Sequence, residues 1–560
     1  MKLIFLLASI FVSCATVSQS KLKSEFIING KWPVKLLYYK KEDLGFILNN
    51  TRTANYKYKN KCACKKYDNQ AADSPINTPR FRFAPSPTGF LHVGGCRTFL
   101  YNYILAKQMN GKLIFRLEDT DANRNTKDSL SEIIKDLKWM NLDWDEGPYK
   151  QSENMEKYKK IAHDFVKEGK AYYCFCTKDE LNEKKEMTKA MKKKYIYDRK
   201  CRHLNDETIN KYLGENRFYA IRFKSPIGKK VVLNDILKNN IEEIVDEDFI
   251  ILRSNFLPTY NFAASVDDHL MKISHIIRGV EHISNTFKQI LVIEALNGKI
   301  PRYAHIPVIT NLDKKKISKR NNEYLIRNLR EEGFKPECVV NYLATLGWSP
   351  ISTREFYTLD ELIEHFNIHM VNKSSVVFNI KKLKWMNKNY LLNEDSKKYL
   401  EEAIKYLFQD EMITDRNKEF VELCISIFKN DVHDYGELKK CITDTISYDY
   451  VGNNLNSYDT DLKRVAVLLC NWFEEYKDDN INLEHIMDKN FNILIEYICK
   501  NTKLLKKDIL LRIRILLTFQ KKGIPFISLL KIWISAQKNN IQNYVPLSKR
   551  LEYIKSIFNI

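Results

Sequence analysis

The sequence predicts an α/β body joined to an all-α C-terminal third. Three observations carry that expectation. Residues 81–109 read as a strand, a glycine-bearing loop and a helix; a second strand, Lys112 to Leu117, ends in acidic residues; and beyond about residue 390 the pattern is almost wholly helical. Strands alternating with helical patterns make an open α/β sheet, whereas an unbroken helical period makes a bundle.

At 560 residues the chain exceeds one hydrophobic core, and about two to four domains are expected. Lys and Arg total 91 against 70 acidic residues, a formal charge of +21. Such an excess suits a polyanionic partner, because neutralised phosphates release counterions. Lys and Asn are abundant throughout, however, so charge alone does not identify nucleic acid.

The N-terminus has the layout of a leader. Lys2 precedes an apolar run, Leu3 to Val12, then Ser13, Cys14 and Ala15, as in a secretory signal peptide cleaved between Ala15 and Ser20. The run is shorter than the ~20 residues that span a bilayer, so neither an anchor nor membrane association is expected. Residues 1–20 are assigned to the signal. Residues 21–79 are assigned to a disordered transit peptide; Lys21 to Arg80 holds 13 basic and 5 acidic residues without a clear period. A basic RNA-binding extension is the alternative. Signal plus transit segment resembles the bipartite leader of proteins sent to a plastid of secondary origin, of apicoplast type, with the mitochondrion as alternative. The 12 cysteines are spread along the chain, unlike a disulfide framework. Cys62-Ala-Cys64 falls within the leader and is read as a decoy.

Ordered sequence begins at Phe81. Phe81 to Ala84 reads as a strand, Pro85 to Gly89 as a rigid loop, and Cys96 to Met109 as a helix with apolar Phe99, Leu100, Tyr103 and Ile104. A helix N-terminus after a glycine loop binds anions through its free N–H groups, and His92 stands at that entrance to hydrogen-bond a nucleotide's phosphates. A lone His is more often structural. After the strand Lys112 to Leu117 come Glu118, Asp119, Thr120 and Asp121, in the crevice where such sheets bind ligands; for Asp121 a charged turn is equally consistent. Asp313 to Arg320 is a lysine-rich loop, by composition a solvated face. Cys174, Cys176, Cys201 and His203 can form a closed tetrahedral zinc site, or simply be three reduced thiols and a surface histidine.

Arg82-Phe-Ala-Pro-Ser-Pro-Thr-Gly89, His92-Val-Gly-Gly95 and Arg116-Leu-Glu-Asp-Thr-Asp121 resemble the bacterial-type glutamyl-tRNA synthetases of class I. Gly95 replaces the signature's usual last histidine, a position this family varies. Ala84, Ser86 and Asp121 stand where glutaminyl enzymes carry other residues, which favours glutamate. Lys316-Ile-Ser-Lys-Arg320 resembles the mobile lysine loop of the class, and the match runs from about 80 to 390. The resemblance implies a Rossmann-like α/β catalytic domain with an inserted acceptor-stem-binding domain and a C-terminal all-α anticodon-binding domain. Residues 80–160 are the first catalytic half, 160–260 the insertion with its zinc site, 260–390 the second half with a stem-contact region, and 390–560 the anticodon-binding domain.

It further implies a glutamate–tRNA ligase that forms glutamyl-adenylate from ATP with Mg2+ and passes glutamate to tRNA-Glu. His92, Lys316 and Lys319 are the catalytic expectation. ATP falls to His92, Gly94, Gly95, Glu281, Lys316, Ser318 and Lys319. L-glutamate falls to Arg82, Ala84, Ser86, Glu118, Tyr260 and Arg278. Structural Zn2+ falls to Cys174, Cys176, Cys201 and His203. Charging of tRNA-Gln, with a link to a tRNA-dependent amidotransferase, stays open, and a monomer is expected. The alternatives are a catalytically inactive synthetase-like tRNA-binding protein, an enzyme glutamylating a tRNA base, and a glutaminyl enzyme.

Overall fold

The computed structural model describes residues 78–121, 128–193, 195–317, 324–350, 354–408, 417–448, 460–475 and 491–560. The leader expectations for 1–20 and 21–79, save Thr78 and Pro79, and Ser318 and Lys319, lie outside the described residues.

The body begins with β1 (Arg80–Phe83), α1 (Val93–Gln108), β2 (Lys112–Leu117), α2 (Ser129–Trp139) and β3 (Glu146–Lys150). After α3 (Met155–Lys167) comes β4 (Ala171–Cys174), with α4 (Lys178–Ala190), α5 (Asp206–Gly214) and β5 (Ala220–Phe223). The hairpin β6 (Lys230–Asp235) and β7 (Asn239–Ile244), then β8 (Ile250–Leu252), α6 (Tyr260–Leu270), β9 (His275–Gly279), α7 (Ile283–Ala295) and β10 (Arg302–Ile306) complete it. Seven strands make one sheet in the order β3-β2-β1-β9-β10-β6-β7, parallel except for the edge hairpin β6–β7. Chain order reverses between β1 and β9, the switch point where open sheets bind ligands. Apolar cores cover the sheet, one around α1, the other around α6 and α7.

The span expected as the insertion, 160–260, contributes strands to two sheets. Its own sheet is β4-β5-β8, antiparallel, with a small core at Tyr172, Cys174, Tyr197 and Cys201. The hairpin β6–β7 instead returns to the main sheet through Tyr303 opposite Asp235.

After β11 (Ile309–Thr310) come α8 (Ile326–Glu331), α9 (Pro336–Thr345), α10 (Leu359–His365), β12 (Val376–Val377) and α11 (Ile380–Asn393). The tail is all helix: α12 (Ser396–Leu407), α13 (Lys418–Phe428), α14 (Tyr435–Ile446), α15 (Thr460–Glu475), α16 (Phe491–Thr502), α17 (Lys506–Thr518), α18 (Phe526–Lys538) and α19 (Leu547–Phe558). Their buried faces form one core centred on residues such as Leu469, Ile513 and Trp533. Among the described residues no helix is long and apolar enough to cross a membrane.

Candidate active site

A cavity of about 320 Å3 opens at the carboxyl ends of β1 and β9. It is lined by Arg82, Ala84, Ser86, His92, Gly94, Gly95, Glu118, Tyr260, Arg278, Glu281 and Lys316, which unites every described residue expected to hold ATP or glutamate.

His92 is the N-cap of α1. Its Nδ1 accepts from the N–H groups of Gly94 and Gly95 at 3.1 and 3.2 Å. Two of the helix's first N–H groups therefore meet the imidazole and not the anion that the glycine loop predicts. The consequence is a fixed tautomer, since an accepting Nδ1 leaves the neutral ring's proton on Nε2, a donor. A Cβ at Gly94 would sit 3.0 Å from two His92 ring atoms, so a side chain there presses on the ring. The segment after the lysine loop is stitched to the same place, with Leu325 bridging His92 and Ile326 N–H donating to Leu91 O at 2.9 Å. Lys316 pairs with Glu281 at 3.0 Å across the cavity.

The glutamate-side residues rest on a buried ion cluster. Arg116, fully buried, donates to Asp268 at 2.7 Å and to Glu118 at 3.3 Å. Asp268 also faces Arg82 Nε at 3.4 Å, and Asp267 accepts from Gln151 and Tyr158 at 2.8 and 2.7 Å. Burial pushes Asp268 up, but Arg116 and then Arg82 outweigh it and hold the carboxyl below its usual range. Burial wins at Glu118, which is raised despite Arg116 and Arg82. A buried pair survives only when such geometry compensates desolvation. Tyr260 opens α6, its hydroxyl 3.5 Å from His282 Nδ1. Burial, with Arg278 adding like charge, lowers His282 to about 4, so the cavity presents it neutral. His282 was not singled out from sequence, although it adjoins Glu281. Asp267 and Asp268 on α6 carry no sequence signal for this role, and Arg116 only helps carry the resemblance.

In the insertion, Cys174, Cys176 and Cys201 bring their sulfurs within 4.8 Å of one another, the one such group of metal-capable side chains among the described residues. His203 is not part of that group and is exposed. The structure thus brings together three of the four expected ligands. The oxygen that joins the thiols belongs to Tyr197, whose hydroxyl lies 3.5 Å from Cys174 Sγ and 3.4 Å from Cys176 Sγ. Four residues before Cys201, Tyr197 is buried in the insertion's small core, while His203 follows the turn outward. Hydrogen bonding from Cys201 and the Arg222 guanidinium, 3.2 Å from its sulfur, pull the Cys174 thiol down toward the thiolate.

The family described as "tRNA synthetases class I (E and Q), catalytic domain" matches residues 79–385. A glutamate–tRNA ligase of Caldicellulosiruptor saccharolyticus is 35% identical over 498 residues, covering 86% of this chain and 99% of the relative. The chain belongs to the glutamate–tRNA ligase family. A second member, from Carboxydothermus hydrogenoformans, is 44% identical over 337 residues, 58% of this chain and 70% of its own. The fold agrees with a glutamate–tRNA synthetase from Elizabethkingia anophelis, with a TM-score of 0.65 at 27% identity over 86% of this chain and 100% of that one. The family model spans the sheet and stops within α11, so the ligase family's catalytic part coincides with the cavity-bearing body.

Proposed function

We propose that this chain activates L-glutamate with ATP and transfers it to the 3′ end of tRNA-Glu. The observation that carries the reading is Arg278. It is buried in the cavity wall, with Nε and Nη2 engaged and Nη1 without a hydrogen-bond partner among the described residues. A buried guanidinium nitrogen without a partner, on a side chain that lines the cavity, calls for a carboxylate, which its planar fork holds well. Arg82 is the second cation for the reacting carboxylate, and Glu118 the acceptor for the ammonium.

The nucleotide's phosphates belong at the other end, with His92 Nε2–H, the glycine loop and Lys316. Magnesium travels with those phosphates. Attack of the glutamate carboxylate on the α-phosphate needs alignment and charge neutralisation and no general base from the protein. Lys319, outside the described residues, completes the charge on the leaving pyrophosphate by its resemblance to the lysine loop. The test is tRNA-dependent ATP–pyrophosphate exchange. Exchange with glutamate, lost in Lys319→Ala and His92→Ala, is expected; robust exchange with glutamine alone would sink the assignment. No observation favours the inactive relative, since both ATP segments are present.

Three finer readings belong to the same proposal. Structural zinc is supported by three converging thiols and the phenol of Tyr197, which suits a closed site that staples the insertion. Metal analysis should find about one zinc per chain, retained in His203→Ala and weakened in Tyr197→Phe; retention only when His203 is intact would restore the original set. Delivery to a plastid of secondary origin is supported by the leader's composition, and a reporter fused to residues 1–80 that stays cytosolic would refute it. Charging of tRNA-Gln, with a partner amidotransferase, and a monomeric state are tested by charging assays and by light scattering.

A further inference from the structure

Arg278 is held from behind by a relay of buried groups. Its Nε donates to His305 Nε2 at 3.2 Å, and its Nη2 to Thr286 Oγ1. The other ring nitrogen, Nδ1, lies 2.7 Å from Asp235 Oδ2, which also takes the His305 backbone N–H at 3.0 Å. Asp235 Oδ1 accepts from the N–H groups of Leu237 and Lys238 at 2.9 and 2.8 Å. The Tyr303 ring lies parallel to His305, centroids 5.9 Å apart, with Arg278 5.5 Å from its centroid.

Proton positions follow from what each group can do. An ionised carboxylate only accepts and a guanidinium only donates. Nδ1 of His305 therefore donates to Asp235, and Nε2, which also lies 3.0 Å from Thr286 Oγ1, keeps a lone pair for Arg278 Nε–H while the Thr286 hydroxyl donates to His282 O at 2.9 Å. A proton on Nε2 would oppose that N–H and place a second positive charge beside the guanidinium. Burial, reinforced by Arg278 and opposed by Asp235, holds His305 below the ordinary imidazole range.

We propose that Asp235 and His305 are positioning residues for amino-acid recognition, fixing the Arg278 fork so that Nη1 meets the substrate's side-chain carboxylate and glutamine is rejected. An arginine stem has many rotamers, and a fork free to turn would offer a single N–H to an amide oxygen almost as well as to a carboxylate. A fixed fork makes charge the deciding difference. Asp235 comes from the hairpin that returns to the main sheet, so the device depends on β6 lying beside β10. The proposal rests on the reading of Arg278 as the glutamate anchor.

The test is tRNA-dependent pyrophosphate exchange with glutamate, glutamine and ATP varied separately, on Asp235→Asn, His305→Gln, His305→Phe and Arg278→Lys, each checked by thermal melting. Asp235→Asn can donate to Nδ1 and so shift the ring proton to Nε2. It should raise the glutamate KM by about 10- to 100-fold, leave the ATP KM within about 2-fold, and reduce the preference for glutamate over glutamine. His305→Gln keeps an acceptor near the Nε2 position and should retain more of the preference than His305→Phe. Glutamate and ATP KM rising together in every variant, or Gln no better than Phe, would overturn the relay. Should His305→Phe fail to fold, Asp235→Asn and His305→Gln decide by the same KM split. Arg278→Lys with an unchanged glutamate KM would instead overturn the anchor reading itself.

Discussion

His92 owes its usefulness to a bond that looks merely structural. By accepting from Gly94 and Gly95 it caps α1 and keeps its proton on Nε2. Gly94→Val forces a side chain against the ring, so exchange should fall about 100-fold, while melting shifts little because one cap is worth only ~1 kcal/mol; steady-state kinetics beside a melting curve checks both. Asp136 on α2 is a different case. It is buried 3.3 Å from Arg330 Nε, neither aligned to hydrogen-bond the other, and burial raises its carboxyl to about 7. A raised acid contributes stability that is complete below the unfolded value near 4 and is lost as pH rises through about 7. Asp136→Asn should therefore gain on the parent between pH 5 and 8, by a Tm difference on the order of 5 °C, measured by scanning fluorimetry across that range. At this scale the residues that line the cavity were legible because they sit in short motifs. Asp235, His305 and His282 were not, since their roles arise from which strands lie side by side.

Elements were legible where their period was long. The helical pattern expected beyond about residue 390 is present as helices such as Ser396–Leu407, Lys418–Phe428, Thr460–Glu475 and Lys506–Thr518. What spacing could not convey is where a segment goes. The hairpin β6–β7 interrupts the insertion in sequence, between β5 and β8, yet completes the main sheet, and the thiol cluster takes Tyr197 because that side chain turns inward while His203 turns out. In the tail, Arg550 on α19 is another product of packing. It donates to the carbonyls of Val545, Leu517, Thr445, Ile446 and Ser447 and lies over Trp533 and Tyr448. Burial lowers it to about 10, so it remains charged, solvated by carbonyls at the end of α14. Arg550→Ala orphans those carbonyls and should destabilise the tail by about 3 kcal/mol, seen in urea denaturation as a lower midpoint.

Across the whole molecule, the catalytic body and the helical tail meet at the end of α8. Gly436 N–H donates to Glu332 O at 2.9 Å, Tyr435 N–H to Gly333 O at 3.3 Å and Tyr406 Oη to Glu331 O at 2.6 Å. Lys335 adds a buried pair with Glu394 at 2.7 Å. The other end of α8 is the one stitched to His92, so this short helix ties the tail to the His92 end of the cavity. A Cβ at Gly436 would lie 2.8 Å from Glu332 O. Gly436→Val should open the joint at a cost of about 1–3 kcal/mol and split one calorimetric transition into two; a single unshifted transition would show that the joint bears no load.

The strand order carries a consequence for how the chain is made. Its central pair joins Phe81 to His275, with Arg80 and Ser274 separated by 194 positions. Non-local pairing of this kind delays folding. A nascent chain has β1 and β2 early but gains β9, the other neighbour of β1, only after residue 279 has emerged, and β10 beside it only after residue 306. Until then β1 presents an unpaired edge, the sort of surface that chaperones cover. Productive folding of the catalytic half is thus a late event in synthesis, and truncation anywhere before β10 leaves an aggregation-prone fragment in place of a smaller enzyme.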